Sequence, residues 1–321
     1  MKIGRILFVA IALGLSFSGQ VFSASKEIVP FYTPGSGGTA YFLGGAIAKI
    51  VNKYVPEVQV MVEATGGAPA IVKLIDEKYT RGQTALGLGV SKYFAVGYLG
   101  KPPFTKPYPE LRIITFLYGA GMNLLVNKSS PIKTYQDLKE KRVALGAAGS
   151  GVYEIALELM ENHGLTKDMY KPLWLGYKEV VEGLQDGSID AGFVAGAYPI
   201  PAIQELNIRR EIRILPVDDK VMKKMTAEQH YYSEILKPGA YRGIDKETPI
   251  LVVGSLLITH SKATDERIYK ITKAMFDHRD ELMEIHPIAK EMSLQTRART
   301  AVFPFHPGAE GYFKEAESSK K

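Results

Sequence analysis

The chain has 321 residues, a formal charge of +6 from 40 Lys and Arg against 34 Asp and Glu, and no cysteine. Lacking cysteine, it can form no disulfide, thiolate nucleophile or cysteine-based zinc site, and has no thiol to carry a lipid. The positive excess is mild and spread out, with local clusters only at residues 139–142 and 320–321. That describes a solvated surface, not a nucleic-acid-binding face, and is compatible with an anionic ligand.

Lys2 and Arg5 precede an apolar run over residues 6–17, and small and polar residues follow, with Val21 and Ser23 at the −3 and −1 positions of a cleavage site. This order predicts a secretory signal peptide over residues 1–23. Its apolar run, about 12 residues, falls short of the roughly 20 that span a bilayer. The expectation is a cleaved chain of about 298 residues with charge +4, free in the periplasm or released from a Gram-positive cell. That length favours two lobes over one core.

Residues 27–32 read as a strand, 34–39 (PGSGGT) as a glycine-rich turn, and 40–54 as a helix with apolar positions at Phe42, Leu43, Ala46, Ile47, Ile50 and Val51. Pro56 stops it. A strand over 58–63, a turn at Thr65-Gly66-Gly67, a helix over 68–77 and a small-residue strand over 85–90 complete an α/β pattern with mainly parallel strands. After the proline-rich loop 101–109 come two linked strands, 112–117 and 122–126, and a short connecting helix over 131–139. The pattern then recurs. Strand 142–145, the glycine-rich turn 146–151 (GAAGSG), helix 152–163 capped by Gly164, strand 173–175, helix 177–185, strand 191–195, helix 198–206 and strand 212–215 follow in order. Residues 249–259 form a long apolar strand, and helices are expected over 265–284 and 289–297.

The economical reading is an α/β chain of two lobes, each with a mainly parallel sheet flanked by helices. Lobe I is discontinuous (24–118 and 255–321), lobe II spans 119–254, and two strands cross between them to give a hinge and a cleft.

Three glycine-rich turns each sit at a strand-to-helix junction. A helix N-terminus leaves backbone N–H groups unpaired and carries partial positive charge. Glycine lets a ligand approach the backbone, and Ser or Thr adds a hydroxyl donor. Several such ends facing one cleft make an anion site without Arg or Lys, beyond the carboxyl ends of the strands. Neither a lysine-bearing P-loop nor a strict dinucleotide spacing occurs, so no nucleotide is expected. Tyr41, Phe42, Tyr93, Tyr153, Tyr177, Tyr198 and Tyr241 fall beside predicted strand ends or turns, where a ring could pack on a ligand's carbon chain.

Catalytic constellations are poor. The six histidines are scattered without metal-ligand spacing, with His260 and His306 reading as satisfied structural residues. Gly-x-Ser-x-Gly is absent, with Ala148 where its first glycine would stand ahead of Ser150. Asp186 and Asp190 in DGSIDA read as turn and cap residues. No metal, cofactor or enzymatic activity is expected.

Six segments, in order over nearly the whole chain, carry a family resemblance: GSGGTAYFLGGAIAKIVNK, VEATGGAPAIVKLI, ALGAAGSGVYEIALELMENHGL, YKEVVEGLQDGSIDAGFVAGAYPIPAIQEL, KPGAYRG and FHPGAEGYF. Together they resemble the TAXI class of solute-binding proteins of tripartite ATP-independent periplasmic (TRAP) transporters. The resemblance implies a two-lobed, type II periplasmic-binding-protein-like fold that closes over a small organic anion such as a dicarboxylate, keto acid or glutamate. It further implies delivery by a monomer to a TRAP membrane permease. The matching cleft positions are Gly38, Thr39, Tyr41, Thr65, Gly66, Ser91, Gly149, Ser150, Gly151 and Tyr198. An ABC importer or sensor kinase would use nearly the same chain; an exported hydrolase is the remoter alternative. One stretch departs from the family: where many relatives carry Gln and Asp flanking the serine at Ser91, this chain has Val90 and Lys92. A positive charge there predicts a non-amino organic acid over a plain α-amino acid.

Overall fold

A computed structural model describes residues 26–228 and 230–319, so the expected signal peptide lies outside the described residues. In chain order the elements are β1 (Glu27–Thr33), α1 (Thr39–Tyr54), β2 (Val58–Ala64), α2 (Ala68–Thr80), β3 (Leu86–Val90), α3 (Ser91–Leu99), β4 (Leu111–Asn127), β5 (Arg142–Ala144), α4 (Gly151–Asn162), β6 (Lys171–Leu173) and α5 (Tyr177–Asp186). Then follow β7 (Ala191–Gly196), α6 (Pro201–Arg209), β8 (Ile212–Ile214), α7 (Asp219–Met225), β9 (Tyr231–Leu236), β10 (Thr248–His260), α8 (Asp265–Asp277), α9 (Arg279–Ile285) and α10 (Pro307–Ser318), with 3-10 turns at Tyr135–Leu138 and Pro287–Glu291.

The strands form one hydrogen-bonded sheet in the order β2-β1-β3-β10-β4-β7-β5-β6, with β8 beside β4 and β9 beside β10. The β1–β2, β1–β3, β5–β6 and β5–β7 pairs are parallel. β4 and β10 run antiparallel to each other and to their neighbours through the middle. The two expected parallel groups are thus joined in a single ladder, because both central strands are long enough to serve each group. β4 pairs β10 along Leu111–Met122 and, on its other edge, β7 along Gly121–Leu125. β10 pairs β9 along Thr248–Val253 and β3 along Ser255–Ile258. At Gly254, which lies opposite Gly119, β10 exchanges β9 for β3 on its other edge while its pairing with β4 continues.

The two strands expected over 112–126 are one, β4. Gly119 and Gly121 read as a break in the sequence, yet glycine here makes room where neighbours cross closely. A Cβ on Gly121 would meet Ile250 Cδ1 at 2.7 Å, and one on Gly119 would overlap the Tyr232 hydroxyl. β1, β3 and most of β4 and β10 are buried on both faces, as strands covered by helices on either side must be.

The carboxyl-terminal helices return to the beginning of the chain: α8 and α9 pack on α1, and Lys53 pairs with Glu281 at 3.0 Å. The helix expected over 265–284 is broken at His278. Beyond the 3-10 turn at Pro287–Glu291, the expected helix over 289–297 is replaced by turns. Thr296 Oγ1 accepts from the Ser293 amide at 3.1 Å and Ser293 Oγ from the Thr296 amide at 3.2 Å, and such local bonds compete with the helical ladder. α3, α7, β9 and α10 are additions to the expected pattern. The α3 sequence (SKYFAVGYL) has little intrinsic helix preference and is held by burial of Tyr93, Phe94 and Ala95.

Among the described residues, no helix is long and apolar enough to cross a membrane, and no cluster of His, Asp and Glu could hold a metal ion. His260 and His306 are buried and bonded to carbonyl oxygens, of Gln83 at 2.8 Å and Ala263 at 2.9 Å. Asp190 Oδ2 accepts from the Arg142 amide at 2.8 Å and its carboxylate also pairs with the Arg142 guanidinium, while Asp186 accepts from the Ser188 amide at 2.7 Å. These groups are structural.

Candidate functional site

Two pairs of parallel strands, β1 with β2 and β5 with β6, run in opposite directions at the two ends of the sheet and end in turns that converge on one cavity of about 290 Å³. β1 and β2 contribute Pro34, Gly35, Ser36, Thr65, Gly66 and Gly67; β5 and β6, at the other end of the sheet, contribute Ala147, Ser150, Gly151, Gly176 and Tyr177. Val90, the last residue of β3, completes the wall. Each turn leads directly into a helix, α1, α2, α4 or α5, so the cavity faces helix starts from both ends of the sheet.

The helix starts are left open by their residues. Gly38, Gly67 and Gly176 stand at the N-caps of α1, α2 and α5 and supply no side chain to satisfy the first amides. Ser150 caps α4, its Oγ accepting from the Tyr153 amide at 3.1 Å. Thr65 shapes the second turn: its hydroxyl donates to Thr33 O at 2.9 Å and accepts from the Gly67 amide at 3.0 Å. Gly67 has φ 105°, a conformation that glycine adopts without penalty. It also lies close to the facing turn: a Cβ on it would stand 3.5 Å from Ser150 Cβ and 3.6 Å from the Gly151 amide nitrogen.

Tyr177 closes the floor. Its ring lies against Gly38, where an added Cβ would come 2.7 Å from Cε2. Its hydroxyl accepts from the Ala195 amide at 3.2 Å, and burial raises its pKa to about 12, so it stays a neutral phenol. The only ionisable side chains of the lining besides this phenol are Lys178 and Glu179, both exposed in the first turn of α5. The cavity therefore meets a ligand with amide dipoles, hydroxyls and apolar surface, and with no buried formal charge of its own.

Of the residues singled out in the sequence, Thr65, Gly66, Ser150 and Gly151 line this cavity. Gly38 lies behind Tyr177. Thr39 is fully buried and its hydroxyl exchanges hydrogen bonds with Ala197, donating to its carbonyl and accepting from its amide at 3.2 Å each. Gly149 is exposed at the tip of its turn with φ 69°. Ser91 is fully buried directly after Val90, its hydroxyl without a partner among the described residues, and Tyr41 is half-buried on α1 against Phe42; neither lines the cavity.

Tyr198 lines a second cavity of about 470 Å³, formed by Gly196–Pro199, the end of β9, residues 237–240 and the turn at Pro287–Glu291. There it packs edge-on against Tyr241, whose hydroxyl accepts from the Ile200 amide at 2.7 Å. The Gly176 turn escaped sequence reasoning because it carries a single glycine after a three-residue strand. Its signal was nonetheless the same: a strand, a glycine, then an amphipathic helix.

Lys92 requires a correction. Its ammonium does not face the cavity. It lies 2.6 Å from Glu158 Oε2 on α4 and 3.3 Å from Glu228 Oε2, with the Tyr231 ring beneath it at 4.8 Å. The charge is consumed inside the protein, so it gives no reason to prefer one ligand over another.

The chain matches the NMT1-like family over residues 31–316 and belongs to it. Among solved structures it is similar to MatC from Rhodopseudomonas palustris with bound malate, at 13% identity over 92% of this chain and 99% of that one, with a TM-score of 0.59. It is also similar to a structure described as a periplasmic transporter, at 13% identity over 91% and 93%, TM-score 0.54. The periplasmic aliphatic sulphonate binding protein SsuA from Escherichia coli aligns at 14% identity over 92% of each chain, with a TM-score of 0.48. With MatC the chain shares its fold, a mixed α/β sheet flanked by helices.

Proposed function

We propose that the protein is an exported solute-binding subunit that captures a small organic anion by closing two lobes on it and delivers it to a TRAP-type membrane permease. The observation that carries this reading is the convergence of four strand-to-helix turns, two from each end of the sheet, on one cavity. The proposed lobes are 24–118 with 255–321, and 119–254; the proposed hinge is the point where Gly119 faces Gly254, at which β10 exchanges β9 for β3 and beyond which β4 takes up β7.

Closure brings the helix starts of α2, α4 and α5 around the ligand. Water leaves, and each amide-to-carboxylate bond strengthens in the drier site. Contacts that span the proposed lobes favour the closed form: the Thr39–Ala197 pair, the Gly37 carbonyl accepting from the Ala202 amide at 3.2 Å, and the Lys92–Glu158 ion pair. The malate held by MatC is consistent with an organic acid as guest. The permease rests on the six-segment resemblance; an ABC importer or a sensor kinase is the alternative partner, and a neighbouring permease gene against an ATPase or kinase gene separates them. No nucleophile with a base lines the cavity, which favours binding over hydrolysis.

The test is native mass spectrometry of the purified protein, followed by thermal denaturation with organic anions. Ligand at a hundred times its dissociation constant stabilises by about 2.7 kcal/mol, which raises the melting temperature by about 5 °C or more. No co-purified anion, together with no thermal response to any carboxylate or sulfonate tried, overturns the reading.

A further inference from the structure

We infer that residues 37–39, in the first glycine-rich turn, are the seat on which lobe II closes, and that Tyr177 is the positioning residue that couples an occupied cavity to that seat. This rests on the anion-capture reading and says how the same site drives its own closure.

Three consecutive residues of the proposed lobe I each meet a different element of lobe II. The Gly37 carbonyl accepts from the Ala202 amide at 3.2 Å, so it serves one of the first-turn amides that α6 cannot pair within itself. Thr39 Oγ1 exchanges its two bonds with the Ala197 backbone, just past the end of β7. Between them, Gly38 has the Tyr177 ring of α5 against it. At φ −91° and ψ 156° Gly38 is ordinary extended backbone, so its conformation does not call for glycine. The ring does: an added Cβ would stand 2.7 Å from Cε2 and 3.2 Å from Cδ2.

Tyr177 also lines the cavity. Its hydroxyl is tied to the Ala195 amide at 3.2 Å, which holds the ring in place against β7. Among the described residues it is the one partly buried apolar side chain that packs against both hydrophobic cores. The same ring is thus within reach of a guest and in contact with lobe I. A guest packed on it holds the surface on which Gly38 seats, and the seated turn favours the closed form. Whatever disfavours closure lowers the apparent affinity by the same factor. Gly38 therefore sets affinity without touching the guest.

The chain has no native cysteine, so spin labels can be placed at Lys73→Cys on α2 and Glu161→Cys on α4, both exposed and outside the cavity lining. Double electron–electron resonance on the full processed protein, dialysed free of ligand, follows the distance between the lobes. L-malate, 2-oxoglutarate, 4-methyl-2-oxopentanoate, L-glutamate and ethanesulfonate are titrated in turn. At least one of them should shorten the distance. Gly38→Ala should raise the concentration required by about tenfold or more, because the added methyl overpacks the closed form alone. In a Tyr177→Leu background, where the ring is gone, the same substitution should cost less than about threefold. Closure of Gly38→Ala at the native concentration, whether or not its melting temperature falls, overturns the seat and leaves anion capture standing. An equal loss in both backgrounds overturns the coupling through Tyr177. Labels that move with none of the five anions in the native sequence overturn the inference and the anion-capture reading together.

Discussion

Lys92 Nζ lies 2.6 Å from Glu158 Oε2 and joins the first turn of α3 to the middle of α4, with the Tyr231 hydroxyl donating to the same carboxylate oxygen at 2.7 Å. Both charged side chains are largely buried, at 14% and 24% exposure. Removing one partner strands the other in a poorly solvated place. Lys92→Met should destabilise the protein by about 2–3 kcal/mol, whereas Lys92→Met with Glu158→Leu should lose clearly less than the two single losses summed. Urea denaturation of the four proteins measures this. Additive losses would show that the pair does not couple.

Thr39 makes a second link of the same kind. Its hydroxyl both donates to and accepts from the Ala197 backbone, in a fully buried setting. Thr39→Val keeps the shape and leaves the Ala197 amide and carbonyl unsatisfied. The expected loss is about 1–3 kcal/mol of stability. Weaker ligand binding should accompany it, because the bond joins segments that the proposed hinge separates.

Gly67 is required for its conformation and for its small size. Gly67→Ala forces a side chain into φ 105° and fills the gap toward Ser150. The expected outcome is a folded protein destabilised by roughly 1–2 kcal/mol, with ligand affinity lowered further than this. Gly45, exposed in the middle of α1 with open space around it, provides the contrast. Gly45→Ala should stabilise by about 0.5–1 kcal/mol and leave binding unchanged.

Stability should fall on mild acidification. Burial holds His163, His230, His260, His286 and His306 below the usual histidine range, so the folded chain binds fewer protons than the unfolded one near pH 6. Their contribution is complete above about pH 6.5 and is lost as pH falls through the depressed folded values. Glu154, Glu234 and Glu291, raised by burial, act in the opposite sense and recover stability as they protonate. The histidine effect is isolated at His306, whose Nδ1 accepts from the Gly308 amide at 3.1 Å and cannot do so once protonated. His306→Asn keeps an N-cap acceptor and should flatten the slope between pH 7.5 and 5.5 in chemical denaturation. An unchanged slope would remove His306 from the effect.

Much of the architecture was legible because its signals are local. Alternation in VQVMVE, the helical spacing from Phe42 to Val51 and glycines between them define strand, turn and helix within a few residues. β4 was read as two strands because glycine, locally, signals a break; only the neighbours Ile250 and Tyr232 turn Gly119 and Gly121 into spacers. α3 and β9 were missed because packing, not propensity, holds them. The turns holding Thr65, Gly66, Ser150 and Gly151 were legible as glycine-rich strand-to-helix junctions, while the opposite end of the Lys92 ion pair, 66 residues away at Glu158, was not.

By itself, the sequence determined the α/β pattern, the absence of thiol chemistry, and which strand ends could present bare amides, since each depends on residue type and short-range spacing. Only the tertiary structure decided which turns share a cavity, that Tyr198 faces a different one, and that Lys92 is neutralised within the protein. Those outcomes depend on how β4 and β10 bring distant segments together, and an electrostatic or steric partner acts through space regardless of its separation along the chain.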